Sequence, residues 1–336
     1  MTAKARILVA DDEPHIRRIL QFLLEQEGFE VQMAEDGEEA WKAVASFQPD
    51  LVLLDVMMPR MDGFSVLEII RAGFETARLP VILLTAKGEE QDKVKGLKGG
   101  ANDYIIKPFN HDELLLRVSN LLEATRRERE ANPLTGLPGN RAIEREIQSR
   151  IASGREFSFM YIDIDRFKSF NDHYGYSMGD RAISFLAGVL VGCTQKYGAG
   201  WEFVGHVGGD DFVVATDTAT GESLARRIIE EFDAGKIDLH DPADWQRGYL
   251  EVESRSGNTE RFPLITLTLA LIVDAKGRFE HPAQLSDTLA ELKRFGKTSP
   301  ASVIVRERRS SDGDQPELIT SAMGEGSAKE PEGESS

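Results

Sequence analysis

The chain of 336 residues contains a single cysteine, Cys193, and no long apolar run. One cysteine excludes an intrachain disulfide and a cysteine-rich metal site, and its apolar surroundings indicate a buried small side chain. A membrane-spanning helix needs about 20 consecutive apolar residues, and no stretch approaches that length. The apolar run at 7–10 is too short for the core of a signal peptide. We therefore expect a cytoplasmic protein that does not insert into a membrane.

Basic residues are also in deficit, because 40 Lys and Arg stand against 57 Asp and Glu, for a formal net charge of −17. Nucleic-acid binding relies on clustered cations that neutralise phosphates. The chain has neither such a cluster nor a basic helix-turn-helix segment, so we expect no DNA-binding output. Its length predicts about two domains of roughly 150 residues each.

Residues 1–122 alternate short apolar runs, such as 7–10, 51–54 and 81–84, with amphipathic stretches. The runs have the length of buried strands, and the stretches between them have helical spacing. This alternation predicts an α/β domain of five strand–helix units, with a parallel sheet covered by helices on both faces.

Three further segments follow the first domain. Residues 123–132 are rich in Arg and Glu and predict a helical linker that extends the preceding helix. Residues 133–305 mix short strands and helices, which predicts a mixed α/β domain with a largely antiparallel sheet and a long polar loop at 235–263. Residues 306–336 have no aromatic side chain and many Ser, Glu and Gly, which predicts a disordered acidic tail.

Polar side chains stand at the ends of four predicted strands in the first domain. Asp11 and Asp12 follow the first strand, Asp55 ends the third, and Thr85 and Lys107 end the fourth and fifth. We expect them to converge, because the carboxyl ends of parallel strands open to one crevice. Three carboxylates repel one another, and Mg²⁺ with its preference for oxygen ligands would relieve that repulsion. Taken singly, Asp12 could be a helix cap, Thr85 an ordinary strand residue and Lys107 a surface charge.

With this pattern, residues 1–122 resemble a response-regulator receiver domain. The resemblance implies a flavodoxin-like, doubly wound fold and a phosphoryl group transferred to Asp55 from a sensor histidine kinase. It also implies Mg²⁺ as cofactor. The implied metal ligands are Asp11, Asp12, Asp55 and the backbone carbonyl of Met57, and the implied switch residues are Thr85, Tyr104 and Lys107.

A second polar group surrounds two strands of the second domain. Asp163 closes the apolar run 157–164, and Gly208-Gly209-Asp210-Asp211-Phe212 predicts a hairpin turn that carries two acids at its tip. A Mg²⁺ ion held by Asp163 and a hairpin acid could clamp triphosphate oxygens, with Lys168 as a counter-charge. An ordinary polar turn is the alternative for the hairpin.

Asn171 and Asp180 follow the first of these strands. An amide that donates and accepts, together with a carboxylate that accepts from ring N–H and amino groups, suits the edge of guanine. The alternatives are an ordinary turn at 171–175 and a helix N-cap at Asp180.

Together with Leu134-Thr135-Gly136-Leu137-Pro138, these motifs give residues 130–305 a resemblance to the GGDEF family, the diguanylate cyclases that condense two GTP into cyclic di-GMP. The resemblance implies a nucleotidyl cyclase-like fold, Mg²⁺ with GTP, and a homodimer that forms upon phosphorylation. The implied catalytic residues are Asp163, Asp210 and Asp211, with Asp163 and Asp211 as metal ligands, and the implied nucleotide-binding residues are Lys168, Asn171, Asp180, Lys293 and Lys297.

One departure from the family pattern falls on the motif itself. Asp211 stands where the family usually has Glu, and the missing methylene retracts the carboxylate by about 1.5 Å, enough to cost on the order of 10²-fold in rate where geometry is strict. The sequence alone therefore predicts that Asp211→Glu would raise a cyclase rate.

Other departures surround the motif. Asn132 replaces an Asp, Gly139 is inserted, His206 replaces an Arg and Lys297 replaces an Arg. Residues 199–202 read Ala-Gly-Trp-Glu where the family's product-inhibition motif would be Arg-x-x-Asp, so we expect no such feedback site. A lone His beside a hairpin favours a hydrogen-bonded structural role for His206 over a metal ligand.

Two functions remain open on the sequence. In one, a phosphorylated receiver controls a domain that binds GTP and makes cyclic di-GMP. In the other, a degenerate domain acts without catalysis, as a nucleotide-binding or protein-interaction module.

Overall fold

The computed structural model describes residues 4–86, 99–253, 259–274, 279–297, 299–307 and 316–320. Contacts divide the chain into two compact units, Met1–Arg129 and Glu130–Ser336. The division falls inside the predicted linker 123–132, which is helical up to Glu130. Among the described residues, no helix is both long and apolar enough to span a bilayer.

Five strands form the sheet of the first unit: β1 (Arg6–Ala10), β2 (Glu30–Ala34), β3 (Leu51–Asp55), β4 (Val81–Ala86) and β5 (Asp103–Lys107). All neighbours are parallel, in the order β2-β1-β3-β4-β5. This is the flavodoxin-like order, so the predicted fold class of the first domain is confirmed.

Helices cover both faces of this sheet: α1 (Pro14–Gln26), α2 (Gly37–Phe47), α3 (Gly63–Ala72) and α4 (His111–Glu130). Because side chains alternate along a strand, Ile7 and Val9 pack on the side of α1 and α4, while Leu8 and Ala10 pack on the side of α2 and α3. The predicted helix between β4 and β5 would fall on residues 87–98, which lie outside the described residues.

A six-stranded mixed sheet forms the centre of the second unit. Its strands are β6 (Phe157–Asp165), β7 (Phe203–Gly208), β8 (Asp211–Thr216), β11 (Thr266–Asp274), β12 (Val303–Arg306) and β13 (Glu317–Thr320), and a separate hairpin contains β9 (Tyr249–Glu253) and β10 (Thr259–Pro263). The order is β13-β12-β11-β6-β8-β7, with β11 and β12 parallel and the other neighbours antiparallel. The mixed α/β fold is as predicted.

The helices of the second unit are α5 (Asn140–Ser153), α6 (Phe167–Tyr174), α7 (Tyr176–Tyr197), α8 (Gly221–Gly235), α9 (Pro242–Arg247) and α10 (Pro282–Gly296). Phe157 and Phe159 of β6 pack on the side of α5 and α10, while Met160 and Ile162 pack on the side of α7 and α8. The same alternation places Asp163 on the α5–α10 face, where the strand reaches its carboxyl end.

The predicted polar loop at 235–263 is wrong in its described part. A 3₁₀ turn at Lys236–Leu239, helix α9 and the β9–β10 hairpin occupy it. The buried carboxylate of Asp244 organises this segment, because it accepts hydrogen bonds from Tyr174 Oη at 2.6 Å and from His173 Nε2 at 2.9 Å. The polar sequence alone did not indicate these hydrogen-bond partners of Asp244, because they lie about 70 residues away along the chain.

The predicted disorder of 306–336 is wrong for the described residues 306–307 and 316–320. Arg306 ends β12, and residues 317–320 form β13, antiparallel to it. Ile319 packs against the core of the second unit. An edge strand offers unpaired backbone groups that even a short segment can join.

Candidate functional site

The three acids predicted to meet in the first unit lie together. One carboxylate oxygen from each of Asp11, Asp12 and Asp55 falls within 4.8 Å of the others. Asp11 and Asp55 are buried, and Asp12 is exposed. The cluster forms because β1 and β3 are adjacent parallel strands that end at the same edge of the sheet.

Lys107 holds this cluster from β5. Its Nζ lies 2.6 Å from Asp11 Oδ2 and 2.8 Å from Asp55 Oδ2. Burial raises the pKa of the Asp55 carboxyl, although the Lys107 hydrogen bond partly offsets it. Burial alone would lower the pKa of Lys107, but its hydrogen bonds to Asp11 and Asp55 outweigh burial and raise it.

The other predicted residues of the first unit lie around the acids. Thr85 is buried, and its Oγ1 has no hydrogen-bond partner among the described residues, so the hydroxyl is available to a ligand oxygen. The backbone N–H of Met57 donates to Asp55 Oδ1 at 3.4 Å, while the Met57 side chain is exposed. Tyr104 is half-buried against the core on the α2–α3 side.

Gly63 is a supporting residue that sequence reasoning missed. It begins α3, and a Cβ at this position would lie 2.1 Å from the backbone oxygen of Asp55. Only glycine permits this approach of the helix to the end of β3. Its signal in the sequence was an Asp62-Gly63 step, which is typical of any turn.

The donor set of the first unit fits Mg²⁺. Carboxylate oxygens from three residues converge, and oxygen is the ligand atom that this hard cation prefers. Lys107 brings only one positive charge to the cluster, so a divalent cation would relieve further repulsion.

A second group of acids lies at the end of the central sheet of the second unit. Asp163 of β6 pairs directly with Asp211 of β8, so the two side chains project from the same face. Asp210 lies in the turn between β7 and β8, and oxygens of all three carboxylates fall within 4.8 Å of one another. The turn needs its two glycines, since Gly208 and Gly209 have φ of 145° and 59°.

Two lysines of the α10 segment neutralise this cluster. Lys293 Nζ lies 2.7 Å from Asp163 Oδ1 and also pairs with Asp211. Lys297 Nζ lies 3.1 Å from Asp163 Oδ2. Lys293 also lies over the Tyr161 ring, with its Nζ 4.9 Å from the ring centre. The sequence predicted both lysines as phosphate ligands, and the structure places both beside the acids.

The acids of this cluster oppose one another's ionisation. Burial, followed by the charge of Asp163, raises the pKa of Asp210 to about 6. Burial also raises the pKa of Asp211, although Lys293 partly offsets it. Burial raises the pKa of Tyr161 to about 12, with the charge of Asp211 adding to the effect. Three such oxygen donors fit Mg²⁺ in the same way as the cluster of the first unit.

Asp211 is not retracted from the cluster as its missing methylene suggests. Its carboxylate reaches both Asp163 and Lys293 despite the shorter side chain. The sequence-based expectation that Asp211→Glu would raise a rate therefore loses its geometric basis.

Asn171 and Asp180 lie inside two consecutive helices. Asn171 is therefore not in an ordinary turn, and Asp180 is not a helix N-cap. Asn171 is in α6, and Asp180 lies exposed inside α7. The Asn171 Oδ1 atom is buried and has no hydrogen-bond partner among the described residues. A Cβ on Gly179 would lie 1.9 Å from it, so glycine at 179 makes room for the amide. Lys168 is exposed on α6.

The segment 199–202 turns its acid inward. Glu202 accepts backbone hydrogen bonds from Ala199 at 2.5 Å and Gly200 at 2.9 Å. Burial would raise the pKa of Glu202, but these bonds outweigh it and lower the pKa. The Arg150 guanidinium carbon lies 4.4 Å from the centre of the Trp201 ring. Glu202 and Trp201 are thus both engaged in contacts within the protein.

Comparison with known proteins assigns a family to each unit. Residues 7–119 match the family model "response regulator receiver domain", and residues 130–244 match "diguanylate cyclase, GGDEF domain". The second match ends before α10, which brings Lys293 to the acids.

Curated relatives share part of the chain. The DNA-binding dual master transcriptional regulator RpaA of Synechocystis is 45% identical over 122 residues, which are 36% of this chain and 51% of that protein. The transcriptional regulatory protein SrrA of Staphylococcus aureus is 46% identical over 119 residues, 35% of this chain and 48% of that protein. The chain thus spans about half the length of these relatives.

Among solved structures, a response regulator of Chloroflexus aurantiacus described as putative matches at 36% identity, with 36% of this chain and 99% of that one covered and a TM-score of 0.35. The receiver domain of the Francisella response regulator 1452 matches at 38% identity, with 36% and 99% covered and a TM-score of 0.34. With the two family matches falling on the units that carry these acid clusters, the chain joins a response regulator receiver domain to a domain of the diguanylate cyclase, GGDEF, family.

Proposed function

We propose that phosphorylation of Asp55 by a sensor histidine kinase controls a GGDEF domain that binds GTP with Mg²⁺ and condenses two GTP into cyclic di-GMP. The observation that carries this proposal is the cluster of Asp163, Asp210 and Asp211, paired with Lys293 and Lys297. A degenerate domain would not need three acids in mutual reach, because buried and half-buried carboxylates that repel one another cost stability unless they serve a ligand.

In the proposed reaction, the residues of the site would position two GTP molecules and neutralise the charge of their phosphates. The 3′-hydroxyl oxygen of one GTP forms a bond to the α-phosphorus of the other, and the bond to the β-phosphate oxygen breaks, releasing pyrophosphate. Asp210 would accept the hydroxyl proton. Two such steps close the cyclic product. Mg²⁺ held by Asp163 and Asp211 would neutralise phosphate oxygens, and Lys168, Lys293 and Lys297 would add positive charge to the same oxygens.

Each site would hold one nucleotide, so the reaction would need two copies of the domain facing one another. We therefore propose a homodimer as the active state, with phosphorylation of Asp55 favouring it. Bringing both reactants into line supplies much of the rate, since orientation alone can be worth several orders of magnitude.

Guanine selectivity is assigned to Asn171 and Asp180. Asn171 Oδ1 is a buried acceptor without a hydrogen-bond partner among the described residues and would accept from guanine, and the exposed Asp180 carboxylate would accept further guanine N–H groups. Adenine lacks that pair of donors.

Gly179→Ala tests this assignment. The added methyl would lie 1.9 Å from Asn171 Oδ1, so the amide must move, and we expect GTP binding to weaken by about tenfold. The control is Gly188→Ala on the same helix, where a Cβ meets no atom within 4 Å. That control should keep wild-type GTP affinity and gain up to about 1 kcal/mol of helix stability. Equal GTP affinity in both variants, measured by calorimetry, would refute the role of Asn171.

The proposed activity is tested by incubating the full chain with GTP and Mg²⁺ and identifying products by chromatography and mass spectrometry. We expect cyclic di-GMP and pyrophosphate. GTP binding without any product, with and without a phosphoryl donor, would instead establish a non-catalytic nucleotide-binding module.

A further inference from the structure

His206 connects the catalytic hairpin to the segment that opens the second domain. It lies in β7, is 2% exposed, and pairs in register with Phe212. The two rings stack with centroids 4.2 Å apart and an angle of 15° between their planes. The backbone N–H of His206 donates to the Pro138 carbonyl at 2.8 Å. The imidazole is therefore a fixed part of the core beside the hairpin.

Both ring nitrogens of His206 have partners, which defines the tautomer. Nε2 lies 2.9 Å from the Gly209 carbonyl oxygen, which can only accept, so Nε2 carries the hydrogen. Nδ1 lies 3.0 Å from Thr135 Oγ1 and accepts the hydroxyl hydrogen in the neutral imidazole. Thr135 Oγ1 in turn accepts from the Leu137 N–H at 3.4 Å. In this neutral form the imidazole donates through Nε2 and accepts through Nδ1.

The anchor of this chain of bonds is Asn132, another departure from the family pattern. Its Oδ1 accepts from the backbone N–H of Leu134 at 2.9 Å and of Thr135 at 3.3 Å. Gly139, the inserted residue, lets this segment close on Glu130, because a Cβ there would lie 2.5 Å from the Glu130 backbone oxygen. The three departures from the family pattern at Asn132, Gly139 and His206 thus lie in one connected hydrogen-bonded segment.

At its other end, this series of hydrogen bonds reaches the peptide group that joins Gly209 to Asp210. The Gly209 carbonyl belongs to the peptide group whose nitrogen is that of Asp210, so its bond to His206 fixes the plane from which Asp210 and Asp211 continue. The strand register shifts between His206 and Gly208, and the His206 ring closes this irregular turn. The position of the hairpin acids therefore depends on the side chain at 206.

We propose that His206 is a positioning residue matched to Asp211, so that the two departures from the family pattern form a functional pair. His206 holds the hairpin where the shorter Asp211 carboxylate reaches Asp163 and Lys293. Arg at 206 is longer and only donates hydrogen bonds, so it cannot accept the Thr135 hydroxyl, and the hairpin would shift. The longer Glu at 211 suits that shifted hairpin. The pairing rests on the proposed function for its activity readout.

A cycle of four proteins tests the pair: the unchanged chain, His206→Arg, Asp211→Glu and the double variant. We expect each single change to lower kcat by about tenfold to hundredfold, with a smaller effect on KM for GTP. The double variant should be at least about fivefold more active than the product of the single effects predicts. Effects that simply multiply would overturn the pairing.

Mn²⁺ affinity supplies a readout that does not depend on turnover. Calorimetric titration of the full chain with Mn²⁺ alone reports every acid cluster that binds the ion, and Asp163→Asn identifies the part due to the cluster of the second domain. We expect that part to weaken in His206→Arg and to recover in the double variant. A double variant that binds Mn²⁺ no better than His206→Arg contradicts the proposal. If the unchanged chain makes no cyclic di-GMP, the proposed function fails, and these affinities still decide the pairing.

Thr135 provides matched controls for the hydrogen-bond chain. Thr135→Val keeps the shape and removes the hydroxyl, so it should weaken Mn²⁺ binding in the same direction as His206→Arg. Thr135→Ser keeps the hydroxyl and should retain wild-type binding. Thermal unfolding of each variant distinguishes loss of the fold from displacement of the hairpin. Equal Mn²⁺ affinity for the Val and Ser variants would show that the imidazole does not act through Thr135.

Discussion

Asp163→Asn is expected to lower cyclic di-GMP formation by about 10²- to 10³-fold at saturating GTP and Mg²⁺. Asp163 lies at the centre of its cluster, opposite Asp211 across the strand pair and in contact with Lys293 and Lys297. The neutral amide removes the charge that both the lysines and a divalent cation require. The measurement is the initial rate of product formation by the full chain.

Asp172→Asn is the matched control, because it also removes one carboxylate from the same region but from an exposed position on α6. Its rate should stay near that of the unchanged chain. Thermal unfolding must accompany both variants, since the half-buried Lys293 ammonium loses one partner in Asp163→Asn. A folded Asp163→Asn protein with nearly full activity would remove the acid cluster from the chemistry.

Asp55→Asn is expected to abolish covalent labelling by a small phosphoryl donor such as acetyl phosphate. Asp55 has its carboxylate next to Lys107 and within reach of Asp11 and Asp12. A carboxylate oxygen is the nucleophile in such a transfer, and an amide replaces it with a group that does not accept the phosphoryl group. Intact-protein mass spectrometry measures the added phosphoryl group.

Asp112→Asn, an exposed acid of α4, is the control for this experiment and should label like the unchanged chain. Labelling that persists at the same level in Asp55→Asn would place the acceptor elsewhere. Loss of labelling in both variants would indicate damage to the fold rather than to the acceptor.

Strand periodicity made the acid clusters predictable. Asp11, Asp55 and Lys107 could be assigned to one crevice because parallel strands end together, and this rule needs no knowledge of distant contacts. Asp163 and the Gly208–Gly209 hairpin were found because turn chemistry and a strand end are both local signals. These features depend on residues that are close in sequence or related by simple topology.

Features that depend on distant contacts escaped prediction. The fold of 235–263 depends on Asp244 meeting Tyr174, and the strand at 317–320 depends on the open edge of β12. The reach of Asp211 depends on where the hairpin lies, which its side-chain length alone cannot reveal. Gly179 is needed only because Asn171 packs against it. In each case tertiary packing, rather than local propensity, sets the outcome.

The central claim is that phosphorylation of Asp55 controls nucleotide chemistry at Asp163, Asp210 and Asp211. The most direct measurement is the initial rate of cyclic di-GMP formation by the full chain, with and without acetyl phosphate, in the unchanged protein and in Asp55→Asn. The account predicts that the donor raises the rate of the unchanged protein and leaves Asp55→Asn at its basal rate. A rate that the donor leaves unchanged in the labelled protein, or raises equally in both, would contradict it.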